Sequence, residues 1–511
     1  MECIEEAIFK AIKYRKFNSL ITETFDLACV QAKEALKKGK TPFPVVVKDC
    51  YMTRKVRTTC ASRNLSNFIA PYTATIVSRL FKEGGCLIGK ANMDEFCMGT
   101  SSSKGYFGPV KNGLSDQANL GSDWRSPGGS SGGCAVAVQL GISSVLVFEA
   151  SDSSSSFHVL YLPPCVRYFE YYRSLGSDTG GSSRNPAAFT GLFGFKPSYG
   201  ILSRYGLIPL VNSLDCPSVI ARTAADCNFL LQAMNGRDAL DSTCIDAPPS
   251  CFMKGRPIYG MTVGIPKEYY NETLSSECWK GWNEAAKALV ALGCKIKEVS
   301  MPSTTYSIIC YYVLAEADIT SNMARYDGVK YGHRSNYDRS TFMLYSATRN
   351  ESLNEIVRRR ISAGNYFLMK WSRQVVQFIK TSGAHDIHYD EYFGQALRVR
   401  RLIKMDFDRV FRKEGCDILL TPVTSGIPPL FSEISDTDGY RRECQDDFYT
   451  QPCNLAGVPA ISVPFMRTAD GFPVGVQIIA DHLKDGIALD VAEKLYEYSV
   501  VKTVKQPSVA K

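Results

Sequence analysis

The chain has 511 residues, 45% of them hydrophobic and 22% charged, with a formal net charge of +8. That is the make-up of an ordinary soluble globular protein, long enough for one α/β core with an insertion or for several small domains, and its mild basicity permits a polyanionic partner without requiring one. No apolar run approaches the roughly 20 residues that a membrane span needs, and the 18 cysteines, scattered singly, read as small buried hydrophobes in a reducing compartment rather than as a disulfide or zinc framework.

Residues 1–40 are helical in pattern, with Phe9, Ile12 and Phe17, then Phe25, Ala28, Ala32 and Ala35, on apolar faces. The opening residues are acidic, whereas a mitochondrial presequence is Arg-rich and acid-poor, so no clear presequence is expected. Pro42-Phe-Pro-Val-Val-Val-Lys48-Asp49 reads as a short buried strand ending in a lysine, a residue rarely buried without a purpose. A second strand, Leu87–Ala91, runs into Asn92-Met-Asp-Glu-Phe96.

Two glycine-flanked serine runs follow, Pro127-Gly-Gly-Ser130-Ser131-Gly-Gly133 and Asp178-Thr-Gly-Gly-Ser182-Ser-Arg184. Glycine on both sides of a hydroxyl lets the backbone turn tightly and aim its N–H groups at an anion or oxyanion. Gly/Ser runs are usually linkers, but these sit inside apolar sequence, next to Ala135–Leu140 and to Phe189, Leu192 and Phe193. Neither run matches a phosphate-loop or dinucleotide spacing. A serine nucleophile needs a base, and none of the five histidines lies in a triad setting. Lys48 is the better candidate, provided burial lowers its pKa from about 10.4 by roughly 3 units.

Leu146 to Arg173 does not fit its surroundings. It carries Ser153–Ser156, Pro163-Pro164 and the aromatic cluster Tyr168-Phe-Glu-Tyr-Tyr172 between a helix and the strand leading to Ser182. The segment is either a substrate lid or the product of a retained intron or gene-model error, and a composition break inside a core connection favours the second. Beyond residue 250 the pattern is more helical. Cys278–Val290 is an amphipathic helix stopped by Gly293, and Cys294–Val299 alternates as a strand. Core-like strands return at Asp417–Pro422, Ala460–Pro464 and Pro473–Ile479, with a last helix at about 486–497. The expected organisation is a helical segment at 1–40, a core at 41–250, a helical cap and substrate-binding region at 251–415, and a return to the core at 416–511.

Lys48-Asp49 and the two Gly-Ser runs, in this order, resemble the amidase signature family of Ser-Ser-Lys amidohydrolases, and the likeness continues through Gly200-Ile-Leu-Ser-Arg-Tyr-Gly-Leu207. The resemblance implies an α/β fold, a central mixed sheet covered by helices on both faces, with a smaller inserted cap. It implies Ser182 as nucleophile, Ser130 with a cis peptide bond as proton relay, Lys48 as base, Ser131 bonded to the relay, and the N–H groups of Thr179, Gly180 and Gly181 as oxyanion donors. In the family the helix after Ser130 and the strand before Ser182 are closely joined, with Val145 meeting Ser174; here the two serines stand 52 positions apart.

Within the family, Asn92–Phe96, Ser321–Gly328 and Asn454–Pro459 resemble the branch of glutamine-hydrolysing A subunits of tRNA-dependent amidotransferases. That branch implies a glutamine site at Tyr311, Arg360 and Asp447, with Arg359 as a rival to Arg360. It further implies ammonia passed to a B subunit, which uses ATP and Mg on Glu-tRNA(Gln), a small C subunit, no metal or cofactor in this chain, no membrane and a mitochondrial setting. Two other readings stay open: a stand-alone amidase on lipid or aryl amides, and a non-catalytic scaffold disabled by the 146–173 segment.

Overall fold

A computed structural model describes residues 1–115, 123–148, 168–247, 252–253, 255–337, 339–369, 389–435, 442 and 444–505. Its frame is a sheet of β1 (Leu20–Glu23), β2 (Phe43–Lys48), β3 (Gly85–Ala91), β4 (Ser144–Phe148), β5 (Tyr168–Asp178), β6 (Phe193–Lys196), β7 (Cys216–Ala221), β8 (Thr262–Pro266), β9 (Lys295–Val299), β10 (Ile418–Pro422), β11 (Ala460–Arg467) and β12 (Pro473–Ala480). Eleven of them lie in the order β1-β3-β2-β5-β7-β6-β11-β12-β10-β8-β9, and β4 pairs with β5 off this path. β3, β2 and β5 are mutually parallel, as are β10, β8 and β9, while the strands between are antiparallel.

The central strands read as unbroken apolar runs because both of their faces are covered. In β2, Val45 and Val47 enter the larger core and Val46 the opposite one, which it shares with Ile4, Ala7, Ala11, Ala28 and Ala32 from the two N-terminal helices. Helix Glu2–Lys13 therefore turns Ile4, Ala7 and Ala11 inward, and Phe9 and Ile12, expected on its apolar face, stand 64% and 47% exposed. The small alanines let that helix approach the strands closely, so they outrank the larger side chains. Helix Phe25–Lys37 buries Ala28, Ala32 and Ala35 as expected.

Helix Ser276–Ala291 is capped by the Ser275 hydroxyl, which accepts from the Cys278 N–H, and its Trp282 indole donates to Leu420 O of β10 at 2.9 Å. Two strands of the region expected as a cap, β8 and β9, thus continue the one sheet. The helical part of that region holds Ser307–Met323 against Glu355–Leu368, and Gly364 marks their closest approach: a Cβ there would meet the Glu316 carbonyl oxygen. The final helix is longer than expected, Asp485–Lys505. Among the described residues no helix is long and apolar enough to cross a membrane, and the 16 described cysteines are free.

The odd segment needs a new boundary. β4 and the first half of β5 form an antiparallel ladder from Ser144 opposite Tyr172 to Phe148 opposite Tyr168. At its C-terminal end Arg173 belongs to the core: it sits opposite Ala221 of β7, its N–H donates to Ser143 O at 3.1 Å, and its guanidinium pairs with buried Asp226 at 2.9 Å. Val145 does not meet Ser174 directly, since the strand that leads to Ser182 starts at Tyr168. Ser153–Ser156 and Pro163-Pro164 lie outside the described residues.

Phe148 and Tyr168 are already register partners, so a two-residue Asn-Gly turn suffices to join them. Replacing residues 149–167 by Asn-Gly should leave the thermal unfolding midpoint unchanged or slightly raised, because the entropy of closing a long loop is removed. A clearly lowered midpoint would show that these residues stabilise the fold.

Candidate active site

β2 and β5 are parallel neighbours, with Val46 opposite Ser174 and Val47 opposite Leu175. Their C-terminal ends therefore open on one edge of the sheet, the edge where α/β sheets place their clefts. β2 ends there in Lys48 and β5 in Ser177-Asp178. The loop after β5 turns into helix Arg184–Thr190, and helix Gly132–Gln139 starts just after Ser131. The first Gly-Ser run thus reaches the lysine, and the second begins directly after Ser177, which the lysine also touches.

Lys48 is fully buried, and its Nζ donates to Ser130 Oγ at 2.8 Å, Ser177 Oγ at 2.9 Å and Ser177 O at 3.4 Å. Two other lysines are as deeply buried, and their partners distinguish them. Lys90 is paired with the Asp49 carboxylate at 3.0 Å, and Lys196 donates to the Pro197 carbonyl at 2.9 Å. Only Lys48 of the three rests on serine hydroxyls without a carboxylate partner.

The Gly129–Ser130 peptide bond is cis. Gly129 has no room for a side chain, since a Cβ would meet the Asp94 carboxylate and the Ser101 backbone. The Ser131 N–H donates to the Ser182 carbonyl at 3.0 Å, which fastens the first run to the second. Ser182 is half-buried, and among the described residues no hydrogen bond joins its hydroxyl to that of Ser130. Contrary to expectation, the Ser131 hydroxyl has no hydrogen bond to Ser130, Ser182 or Lys48 among the described residues; it donates to Ser177 O at 3.2 Å and lies 3.4 Å from the Ser183 hydroxyl. It braces the residue that holds Lys48.

Of the three expected oxyanion donors, Gly181 is occupied: its N–H donates to Asp178 Oδ1 at 2.8 Å. Those of Thr179 and Gly180 have no acceptor among the described residues. Gly181 has φ +136°, a backbone conformation that favours glycine, and a Cβ there would strike the Thr450 hydroxyl. That hydroxyl donates to Gly180 O at 2.6 Å.

Asp178 and Arg184, both fully buried, hold this loop in shape. The Arg184 guanidinium donates to both Asp178 oxygens, Thr450 O, Gln477 Oε1 and Asn454 Oδ1, five bonds in all. Asn454 returns its amide to Asp178 O and Oδ1, each at 3.0 Å. Burial alone would raise the Asp178 pKa, but Arg184, Lys196 and Asn454 outweigh it and hold the carboxyl below its ordinary value.

Lys48 departs from expectation. Burial pulls its pKa down, yet the Cys97, Cys50 and Cys134 sulfurs and the Asp94 carboxylate push it up further, and the net shift is upward. The ammonium form is therefore the favoured one.

Tyr311, Arg360 and Asp447 are all buried. Tyr311 lies against Gly180, whose added Cβ would come within 2.8 Å of the phenol ring. Arg360 stands over the Tyr312 ring at 5.3 Å. Asp447 accepts from Gln451 Nε2 at 3.0 Å, and its carbonyl accepts from the Thr450 N–H at 3.2 Å. Arg359 is exposed, so of the adjacent arginines Arg360 is the one turned inward. Ser177 and Thr450 stand in the sequence without any mark of their place in the site. Arg184 carries one signal, an arginine inside a glycine-rich run that leads into apolar sequence.

The buried pair yields a test with a defined sign. Arg184→Met strands a buried carboxylate and should cost about 3–5 kcal/mol in denaturant unfolding. The folded-state pKa of Asp178 is depressed, so the pair stabilises above the ordinary value of 3.8 and loses that contribution as pH falls through the folded pKa. The gap between wild type and variant should therefore be widest above about pH 4 and narrow in acid. A gap that does not vary with pH would place the cost elsewhere than in the ion pair.

A model of the Amidase family matches residues 2–147 and 171–489, leaving unmatched 148–170 and so most of the odd segment. The chain is 41% identical to the A subunit of the human mitochondrial glutamyl-tRNA(Gln) amidotransferase, over 96% of this chain and 90% of that one. It is 42% identical to the counterpart in Xenopus tropicalis, over 94% and 88%. Among solved structures it is similar to the A subunit of the Thermotoga maritima glutamyl-tRNA(Gln) amidotransferase, at 30% identity and a TM-score of 0.65, covering 96% of this chain and 93% of that chain. The family match takes in Lys48 and Ser130 on one side of the unmatched stretch and Ser182 on the other, and the chain belongs to the amidase family.

Proposed function

We propose that this chain is the glutamine-hydrolysing subunit of a mitochondrial tRNA-dependent amidotransferase. The observation that carries the reading is Lys48 Nζ on the Ser130 hydroxyl at 2.8 Å, with Ser131 tied through its N–H to the Ser182 carbonyl. In the proposed reaction Ser182 Oγ attacks the carboxamide carbon of glutamine. Its proton passes through Ser130 to Lys48 and then to the leaving nitrogen, so that ammonia departs and a glutamyl ester remains. Water then cleaves the ester by the same relay and frees glutamate. The carbonyl oxygen, negative in each tetrahedral intermediate, is met by the N–H groups of Thr179 and Gly180, a contribution worth about 10²–10³ in rate for a single donor elsewhere.

The substrate reading rests on charge placed near the loop. Arg360 suits the α-carboxylate, since a guanidinium grips it bidentately, and Asp447 suits the α-ammonium. Tyr311 packs on Gly180 and forms a wall of the amide pocket. No step needs a metal or cofactor from this chain. ATP and Mg belong, in this reading, to a B subunit that activates Glu-tRNA(Gln) and receives the ammonia, with a C subunit joining the two. The mitochondrial setting and the complex are carried over from the relatives' names. The helical part of the 251–415 region serves as the cap that brings Arg360 to the site.

Ser182→Ala should abolish acylation by a glutamine-like electrophile, and Ser130→Ala and Lys48→Ala should lose nearly as much, because members of one proton relay are not additive. Near-normal turnover in Lys48→Ala at pH 7 would remove the lysine from the mechanism. Arg360→Ala or Asp447→Ala should raise KM for glutamine far more than it slows a small uncharged amide; equal losses on both would point to a stand-alone amidase. Because the Lys48 pKa is raised and the base must be neutral, kcat/KM should climb about tenfold per pH unit from pH 7 upward. A plateau already reached at pH 7 would contradict the upward shift.

A further inference from the structure

Three side chains from two separate stretches meet at the Ser177 hydroxyl. Lys48 Nζ lies 2.9 Å from it, Cys97 Sγ 3.6 Å and Cys50 Sγ 3.8 Å. Two sulfurs in contact with one oxygen are neighbours. The sheet sets up this meeting: Cys50 follows Lys48 by two residues at the end of β2, and Cys97 closes the short turn Glu95–Cys97 that follows β3, the parallel neighbour of β2. Cys97 is held there at φ 64° by hydrogen bonds from the Phe96 N–H to Cys60 O at 2.9 Å and from its own N–H to Asp94 O at 3.0 Å.

The two sulfurs differ in reactivity. Cys50 beside it, together with the Lys48 charge and the Ser177 hydroxyl, lowers the Cys97 pKa to about 7 against burial. Burial pushes Cys50 well above 9. Cys97 keeps 7% of its surface exposed and Cys50 none. Cys97 is thus the more acidic and the less enclosed of the two, and Cys50 the thiol beside it, the pairing of attacking and resolving sulfur found in peroxide-sensitive sites.

We propose that Cys50 and Cys97 are an oxidisable dithiol beside the lysine of the site, a modification site for peroxide whose disulfide form is inactive. The inactivation half rests on the assignment of Lys48 as base. The Cys97 thiolate attacks one peroxide oxygen, the O–O bond breaks, and the departing oxygen leaves as water after taking a proton, which makes a sulfenic acid. Cys50 then attacks the Cys97 sulfur as its proton passes to the sulfenic oxygen; the S–O bond breaks, the S–S bond forms and a second water leaves. Both sulfurs are oxidised, and the two peroxide oxygens are reduced. An S–S bond of about 2.05 Å draws both sulfurs off the Ser177 hydroxyl and pulls on the backbone two residues from Lys48.

The test uses the full-length chain, purified reduced, treated with hydrogen peroxide, quenched with an alkylating agent and mapped by mass. The expected result is a linked pair of peptides bearing Cys50 and Cys97, two hydrogens lighter than the reduced pair. Glutamine hydrolysis should fall about tenfold or more and return with dithiothreitol. Cys97→Ala and Cys50→Ala should each resist the same peroxide dose, measured against the untreated activity of the same variant. Absence of the linked peptides would overturn the proposal, as would their formation without loss of activity, or inactivation that is equal in wild type and Cys97→Ala. The linkage is read by mass, so it stands or falls independently of whether glutamine is the substrate.

Discussion

The interaction on which the rest depends is the buried pair Asp178–Arg184. Burying two charges costs several kcal/mol per ion unless every remaining donor and acceptor is met, and here the guanidinium makes five hydrogen bonds. Their acceptors come from distant parts of the chain. Asp178 closes β5, whereas Thr450, Asn454 and Gln477 lie more than 260 residues later. The loop carrying Ser182 is therefore shaped by the C-terminal part of the sheet as much as by its own glycines. The shape of the Ser182 loop and the packing of the C-terminal strands are thus tied together through one side chain.

The lysine shows how a common residue type becomes a specific one. Burial does not single Lys48 out, because Lys90 and Lys196 are as deep. A carboxylate neutralises the first, and a carbonyl satisfies the second. Lys48 instead has two hydroxyls, each able to give as well as take a proton. The same neighbourhood holds sulfurs and Asp94, so the Lys48 proton is harder to release.

Much of this is legible in the residues. The two Gly-Ser runs and a strand ending in lysine carry their chemistry within a few positions, and apolar runs such as Phe43–Val47 and Val474–Ala480 name themselves as strands because both faces are covered. What the residues alone obscure depends on partners far away in sequence. Phe9 and Ile12 look like a buried stripe until the alanines of the same helix find the sheet. β1 is a four-residue, half-exposed edge strand, too short to show a period. The Ser131 hydroxyl, the engaged Gly181 N–H and the upward shift of Lys48 follow from groups that only the folded chain brings together. Arg359 and Arg360 are chemically alike, and it takes the helix orientation to tell them apart.

β5 runs without a break from its ladder with β4 to the residue that anchors the Ser182 loop. At roughly 3.3 Å per residue, its 11 residues make a stiff rod some 35 Å long. One end of that rod stands where the family pattern is interrupted, and the other sets the position of the Asp178 carboxylate. The interruption in the family pattern and the Asp178 carboxylate thus stand at opposite ends of one strand.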